Sequence, residues 1–253
     1  MVGVLTGVSL YLWMTTPLAL AATSTPPNTP ILPGISVNVG NGGPTSVSST
    51  LQIVFLLTIL SLAPAILILM TSFTRIIVVL SFVRNALSLQ TAPPNQVLVG
   101  LALFMTLFIM QPTLQAANQN ALQPYLKGQI TQQVALQQAE LPFKEFMAKH
   151  TRQQDLDLFL QYRHLPETNN PKQIPFTALV PAYTISELKT AFQIGFMLYL
   201  PFLIIDLVVA TTLMSMGMMM LPPVMISLPF KILLFVMVDG WYLVVKSLLA
   251  GYS

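Results

Sequence analysis

The chain has 253 residues, 54% apolar and only 8% charged, with a mean hydropathy of +0.72. Soluble domains carry about 25% charged residues, so a chain this poor in charge cannot clothe itself in polar surface and reads as an integral membrane protein. Its net charge of +3 is small and spread out, with no basic run to hold a nucleic acid, and the lack of cysteine removes disulfides, thiol nucleophiles and thiolate metal sites together.

In chain order, residues 1–22 are a short apolar stretch ending Ala19-Leu20-Ala21-Ala22, which fits a cleaved signal peptide. The positive start of such a peptide is missing apart from the amino terminus itself, and an uncleaved first helix is the alternative. Residues 23–50, rich in Pro, Thr, Ser, Gly and Asn and free of charge, read as a flexible linker. Leu51 to Met70 is about long enough to span hydrocarbon, with Pro64 as an interruption. Apolar character resumes through Ile76–Leu80, on a segment carrying Arg75 and Arg84. Ala92-Pro93-Pro94-Asn95 is a firm stop, because the residue before each proline is pushed out of the α region. A second apolar segment runs from Val97 to Met110.

From Gln111 to Tyr183 glutamines and charges appear, and a small α-helical insert is expected. Pro142 should open one helix through His150, and a second should run from Arg152 to Tyr162 with Leu156, Phe159 and Leu160 on one face. The insert is too small to be assured of its own core. Thr184-Ile185-Ser186-Glu187 fits a capping box ahead of an apolar run from Leu188 to Leu213, with Pro201 inside it. The last run, Val224 to Leu249, has Pro229 near its start. The expected fold is therefore all-α, built of membrane-type helical hairpins with broken, proline-kinked helices. It divides into a signal peptide (1–22), linker (23–50), first hairpin (51–110), polar periplasmic insert (111–183) and second hairpin with a Met-rich loop (184–253). Arg75 and Arg84, without an acidic neighbour, should mark a cytoplasmic loop, leaving both termini and the insert outside.

Between the last two apolar runs lies TLMSMGMMMLPPVM, residues 212–225, holding six of the 14 methionines and no charge. With Gly217 and Pro222–Pro223 present it cannot be one plain helix. Methionine is unbranched and repacks at low cost, so the cluster suggests a soft plug that opens; ordinary helix core or a lipid-facing turn is the alternative. In or beside the same runs stand Glu187, Lys189, Asp206, Lys231 and Asp239. Each charge costs about 3 kcal/mol at a bilayer centre, so they should face protein, pair, or line a wet path. Lys231 and Asp239 share roughly one helix face but are too far apart to pair along it, so other helices or subunits should supply partners. An intramembrane aspartyl protease is disfavoured, because neither aspartate carries the flanking tyrosine or glycine of presenilin-like enzymes. His150 and His164 lack a ligand partner at helical spacing and read as solvated.

Several stretches resemble one family, the FliP family of type III secretion export-gate proteins. They include Met70-Thr71-Ser72-Phe73-Thr74-Arg75-Ile76, Arg84-Asn85-Ala86-Leu87, and Ala92-Pro93-Pro94-Asn95-Gln96-Val97-Leu98. Others are Ser186-Glu187-Leu188-Lys189-Thr190-Ala191-Phe192, Pro201-Phe202-Leu203-Ile204-Ile205-Asp206, Gly217-Met218-Met219-Met220 and Leu228-Pro229-Phe230-Lys231. The likeness covers about residues 50 to 250. The resemblance implies a non-enzymatic, cofactor-free subunit of the flagellar export gate at the basal body in the bacterial inner membrane. Five copies would assemble with FliQ and FliR, near FlhB and FlhA, and unfolded protein substrates would pass through. It also implies a methionine gasket at Met218, Met219 and Met220, a phenylalanine constriction at Phe159 with Phe146 as a neighbour, and a charge pair between subunits from Glu187 and Lys231. A self-contained channel or transporter for small solutes is the competing class.

Overall fold

The computed structural model describes residues 44–166, 168, 170–218 and 220–252, the side chains of 44–52, 63 and 67 excepted; the signal peptide expectation lies outside these residues. The helices are α1 (Pro44–Leu69), α2 (Phe73–Ala86), α3 (Asn95–Ala117), a π-turn (Asn118–Leu122), α4 (Gln123–Leu126), α5 (Gln132–His150), α6 (Gln153–Tyr162), α7 (Phe176–Ser215), α8 (Pro223–Met237) and α9 (Gly240–Ala250). No strand occurs among the described residues, so the fold is all-α. Residues 1–60 and 61–253 are two separate units, and the second contains α2 to α9.

α1 continues through Pro64 to Leu69 instead of breaking there. The stop at 92–95 holds: α2 ends at Ala86, the Ala92–Pro93 peptide is cis, and Pro94 in extended conformation precedes α3. Arg84 hydrogen-bonds the Asn95 carboxamide oxygen across this corner. α3 does not end at Met110. It runs with the π-turn and α4 as an apolar rod, Asn95–Leu126, long and apolar enough to cross a membrane. The glutamines that signalled an insert ride on its far end.

In the insert, α5 starts ten residues before Pro142. Thr131 is the cap, its hydroxyl accepting from the Val134 amide at 3.5 Å. Pro142 sits mid-helix and buried, where the lost backbone bond is offset by packing. α6 matches its expected limits, with Arg152 as N-cap and Leu156 and Leu160 buried.

α7 corrects the capping box. It is one helix of 40 residues, about 60 Å long, starting at Phe176 after Pro175. Thr184 lies two turns inside it, its hydroxyl donating back to the Val180 carbonyl, and Glu187 points into the interior. A cap needs non-helical dihedrals, and the Thr-x-x-Glu spacing alone does not create them. The last apolar run is two helices, α8 and α9, bent by 63°. Asp239 stands at the bend in left-handed conformation, φ 51°. Among the described residues two helices are long and apolar enough to cross a membrane, or three if the bent pair counts as one span.

Two cores organise this unit. In the first, Ile76, Val79, Leu80 and Val83 form a helical stripe on α2 and pack with Leu98 and Ala102 of α3, Ala191 and Phe202 of α7, Phe235 of α8 and Leu248 of α9. The second joins Met147 of α5 and Leu156 and Leu160 of α6 to Leu179, Ala182 and Tyr183 of α7. The insert thus borrows the first turns of α7 as a wall, which solves its shortage of core.

Candidate functional site

The methionine turn joins α7 to α8. The Met218 amide donates to the Leu213 carbonyl at 3.1 Å and the Gly217 amide to the Met214 carbonyl at 3.0 Å. This is a Schellman ending, and it needs a left-handed residue after the helix. Gly217 supplies it at φ 75°. Pro222 in extended conformation then leads into α8. The described methionines project outward: Met214, Met216, Met218, Met220 and Met225 are all exposed, Met220 at 98%. Met219 lies outside the described residues.

Three of the charges find partners on other helices of the chain. Glu187 is fully buried and pairs with Arg75 of α2, Nε to Oε2 at 2.8 Å and Nη2 to Oε1 at 2.5 Å. Tyr252 donates its hydroxyl to Oε2 at 2.5 Å, and Arg75 Nη1 donates to the Gly251 carbonyl at 3.1 Å. Lys231, buried on α8, donates to Asp206 Oδ2 at 2.6 Å and to the Ser88 hydroxyl at 2.7 Å. Ser227 donates to Asp206 Oδ1 at 2.5 Å. Glu187 and Lys231 therefore each have an opposite charge within the chain, and their pairing with each other is not carried further. Two buried charges satisfied by fork-like and multiple hydrogen bonds have no need of a third partner. Nor are all five charges buried. Lys189 is exposed on α7, and Asp239 is exposed at the α8–α9 bend without a side-chain cap bond. Asp206 serves Lys231, so no aspartate dyad forms.

A family model described as the FliP family matches residues 56–248. The flagellar biosynthetic protein FliP of Bacillus subtilis (strain 168) is 64% identical over 209 residues, covering 83% of this chain and 95% of the relative. That of Pectobacterium carotovorum subsp. carotovorum is 52% identical over 221 residues, 87% of this chain and 86% of the relative. That of Aquifex aeolicus (strain VF5) is 49% identical over 224 residues, 88% of this chain and 92% of the relative. The chain belongs to the FliP family. With its membrane-length apolar helices, this family member is a membrane protein.

In this FliP-family chain the two phenylalanines expected at a constriction pack into the insert. Phe159 is partly buried against the second core. Phe146 meets Tyr183 edge-on at 6.1 Å and stacks on Tyr252 at 6.0 Å, as core packing would have it. His150 is not the solvated histidine expected. It is half-buried, with Nδ1 2.8 Å from the Phe146 carbonyl oxygen and its ring 5.0 Å from Tyr252. Burial holds its pKa below the ordinary range despite that bond, and Arg75 and Lys149 push the same way. Among the described residues no cluster of carboxylates and histidines could hold a metal ion.

The sequence reading missed Arg75, Ser88, Ser227 and Tyr252 as site residues. Arg75 left a signal, a lone cation between apolar runs with no acidic neighbour. Such a charge reads as a loop residue, but Arg75 rides on α2 and is 4% exposed. Its partner is 112 positions away. Asp155 accepts from Ser186 at 2.7 Å, and that hydroxyl in turn accepts from the Arg152 amide at 3.0 Å, anchoring the start of α6 to α7.

Proposed function

We propose that this chain is a core subunit of the flagellar type III protein export gate, through which unfolded flagellar proteins cross the inner membrane at the basal body. Membership of the FliP family supports this role, and the named relatives are flagellar biosynthetic proteins. Five copies, with FliQ and FliR, would surround one axis, with FlhB and FlhA nearby. The turn carrying Met218, Met219 and Met220 acts as the deformable seal. The observation that carries this reading is the outward methionine cluster on a turn locked at its base by a Schellman ending. The thioethers of Met218 and Met220 are exposed in one chain and free to meet those of neighbours. Unbranched and polarizable, they can close around an axis and still repack around a passing chain. No catalytic group is required of the chain, because the buried charges hold helices together.

Replacing Met218, Met219 and Met220 together with Ala tests the seal. Assembly should survive while ions and small solutes leak through the gate. Unchanged membrane conductance and growth would sink the reading. Co-purification in mild detergent separates a gate from a self-contained solute channel, since only a gate brings down flagellar export partners.

A further inference from the structure

Tyr252 lies where separate parts of the chain converge. The Arg75 guanidinium of α2 sits 4.1 Å from its ring centroid, a cation–π contact. Its hydroxyl reaches Glu187 of α7, and its ring stacks on Phe146 and lies against His150, both of α5. The preceding residue is equally constrained. A Cβ on Gly251 would stand 3.0 Å from Arg75 Nη1, so any larger residue there would push the guanidinium by a few tenths of an ångström. The segment 251–252 thus clamps the insert helix α5 onto the α2–α7 pair.

Arg75 and Lys149 are the charges that bear most on His150, and both oppose a proton on its ring. Arg75 of α2 and the His150 ring both lie against Tyr252. From α7 come Tyr183 and Glu187, and Glu187 is already engaged by Arg75 and Tyr252. α5 itself adds Lys149 and Glu145 at a groove of about 330 Å³ beside the ring. α3 contributes Ile109, Pro112, Thr113 and Ala116 to that groove, none of them ionisable. A neutral imidazole fits here, with Nδ1–H donating to the Phe146 carbonyl. An imidazolium would add a second cation beside the Tyr252 ring, whose centroid lies 4.1 Å from the Arg75 guanidinium and 5.0 Å from the His150 ring.

We propose that His150 is a proton-operated release for the Tyr252 clamp: a proton on its ring unseats Tyr252 and frees α5 from α2 and α7. The coupling is reciprocal. A closed clamp disfavours the proton, so the proton disfavours the closed clamp by the same factor. Because the closed state holds His150 below its ordinary pKa, the clamp stays shut near neutral pH and opens as pH falls through the usual histidine range.

The chain has only two histidines, so His164→Asn leaves a single ring signal to follow by NMR in detergent micelles. Expected is a titration of His150 at lower pH in the otherwise native chain than in Tyr252→Leu, which cannot clamp. Amide exchange of residues 247–252, corrected for its intrinsic pH dependence, should quicken about tenfold between pH ~8 and pH ~5, within the usual range of coupling between two sites. His150→Gln should abolish that acceleration. Identical titrations with and without Tyr252, or the same acid response in His150→Gln, would overturn the proposal. Should Tyr252→Leu fail to fold, the exchange comparison between native chain and His150→Gln decides alone.

Discussion

The Arg75–Glu187–Tyr252 joint and the methionine turn are opposites. At the joint, buried Glu187 accepts three hydrogen bonds, and α2, α7 and the segment after α9 meet on it. At the turn, the backbone is tied by its own hydrogen bonds while the described methionines point away from the protein. One region gets its geometry from polar groups that are costly to leave unpaired. The other keeps soft apolar side chains uncommitted on a fixed base. Rigidity and compliance are separated by residue chemistry within one chain, and the two regions should respond differently to substitution.

The largest expected effect is at the joint. Glu187→Ala leaves the Arg75 guanidinium buried without its carboxylate and should cost about 3–5 kcal/mol, seen as a large drop in thermal unfolding temperature in detergent. A shift of only a degree or two would show that water reaches Arg75 and that the joint is not rigid. Lys231→Met keeps the length of the side chain and removes its bonds to Asp206 and Ser88. Asp206 is 27% exposed and can recover water, so the loss should be smaller, about 1–3 kcal/mol by the same measurement. Equal losses at both pairs would erase this distinction. At the turn, Gly217→Ala forces a Cβ into left-handed backbone and should cost about 1 kcal/mol, while open space around it means no clash. Smallest of all, Met218→Ala with Met220→Ala should change the stability of the isolated chain by at most about 0.5 kcal/mol, because exposed side chains lose few contacts. A larger loss would mean that these methionines hold the turn and are not free to serve as a seal.

α6 was legible because its signals are local: polar flanks, three apolar residues on one face, and a length close to three turns. The stop between α2 and α3 was legible for the same kind of reason, since consecutive prolines act on their immediate neighbours. α3 and α7 were not bounded correctly, because helices apolar on nearly every face carry no periodic stripe to show where they begin or end. Pro142 and Thr184–Glu187 misled in one way. Each matches a helix-start pattern, yet a start depends on dihedrals that tertiary packing selects.

Sequence alone determined that the chain is helical, rich enough in apolar residues for a membrane, broken at Gly217 and the proline pairs, and supplied with charges that must be satisfied. Composition and short-range sterics suffice for that. Which charge meets which was decided only by the tertiary structure: Glu187 goes to Arg75 and Tyr252, and Lys231 to Asp206 and Ser88. Electrostatic partnership depends on distance in space, and residues more than sixty positions apart acquire that distance only when α2, α7 and the segment after α9 have packed together.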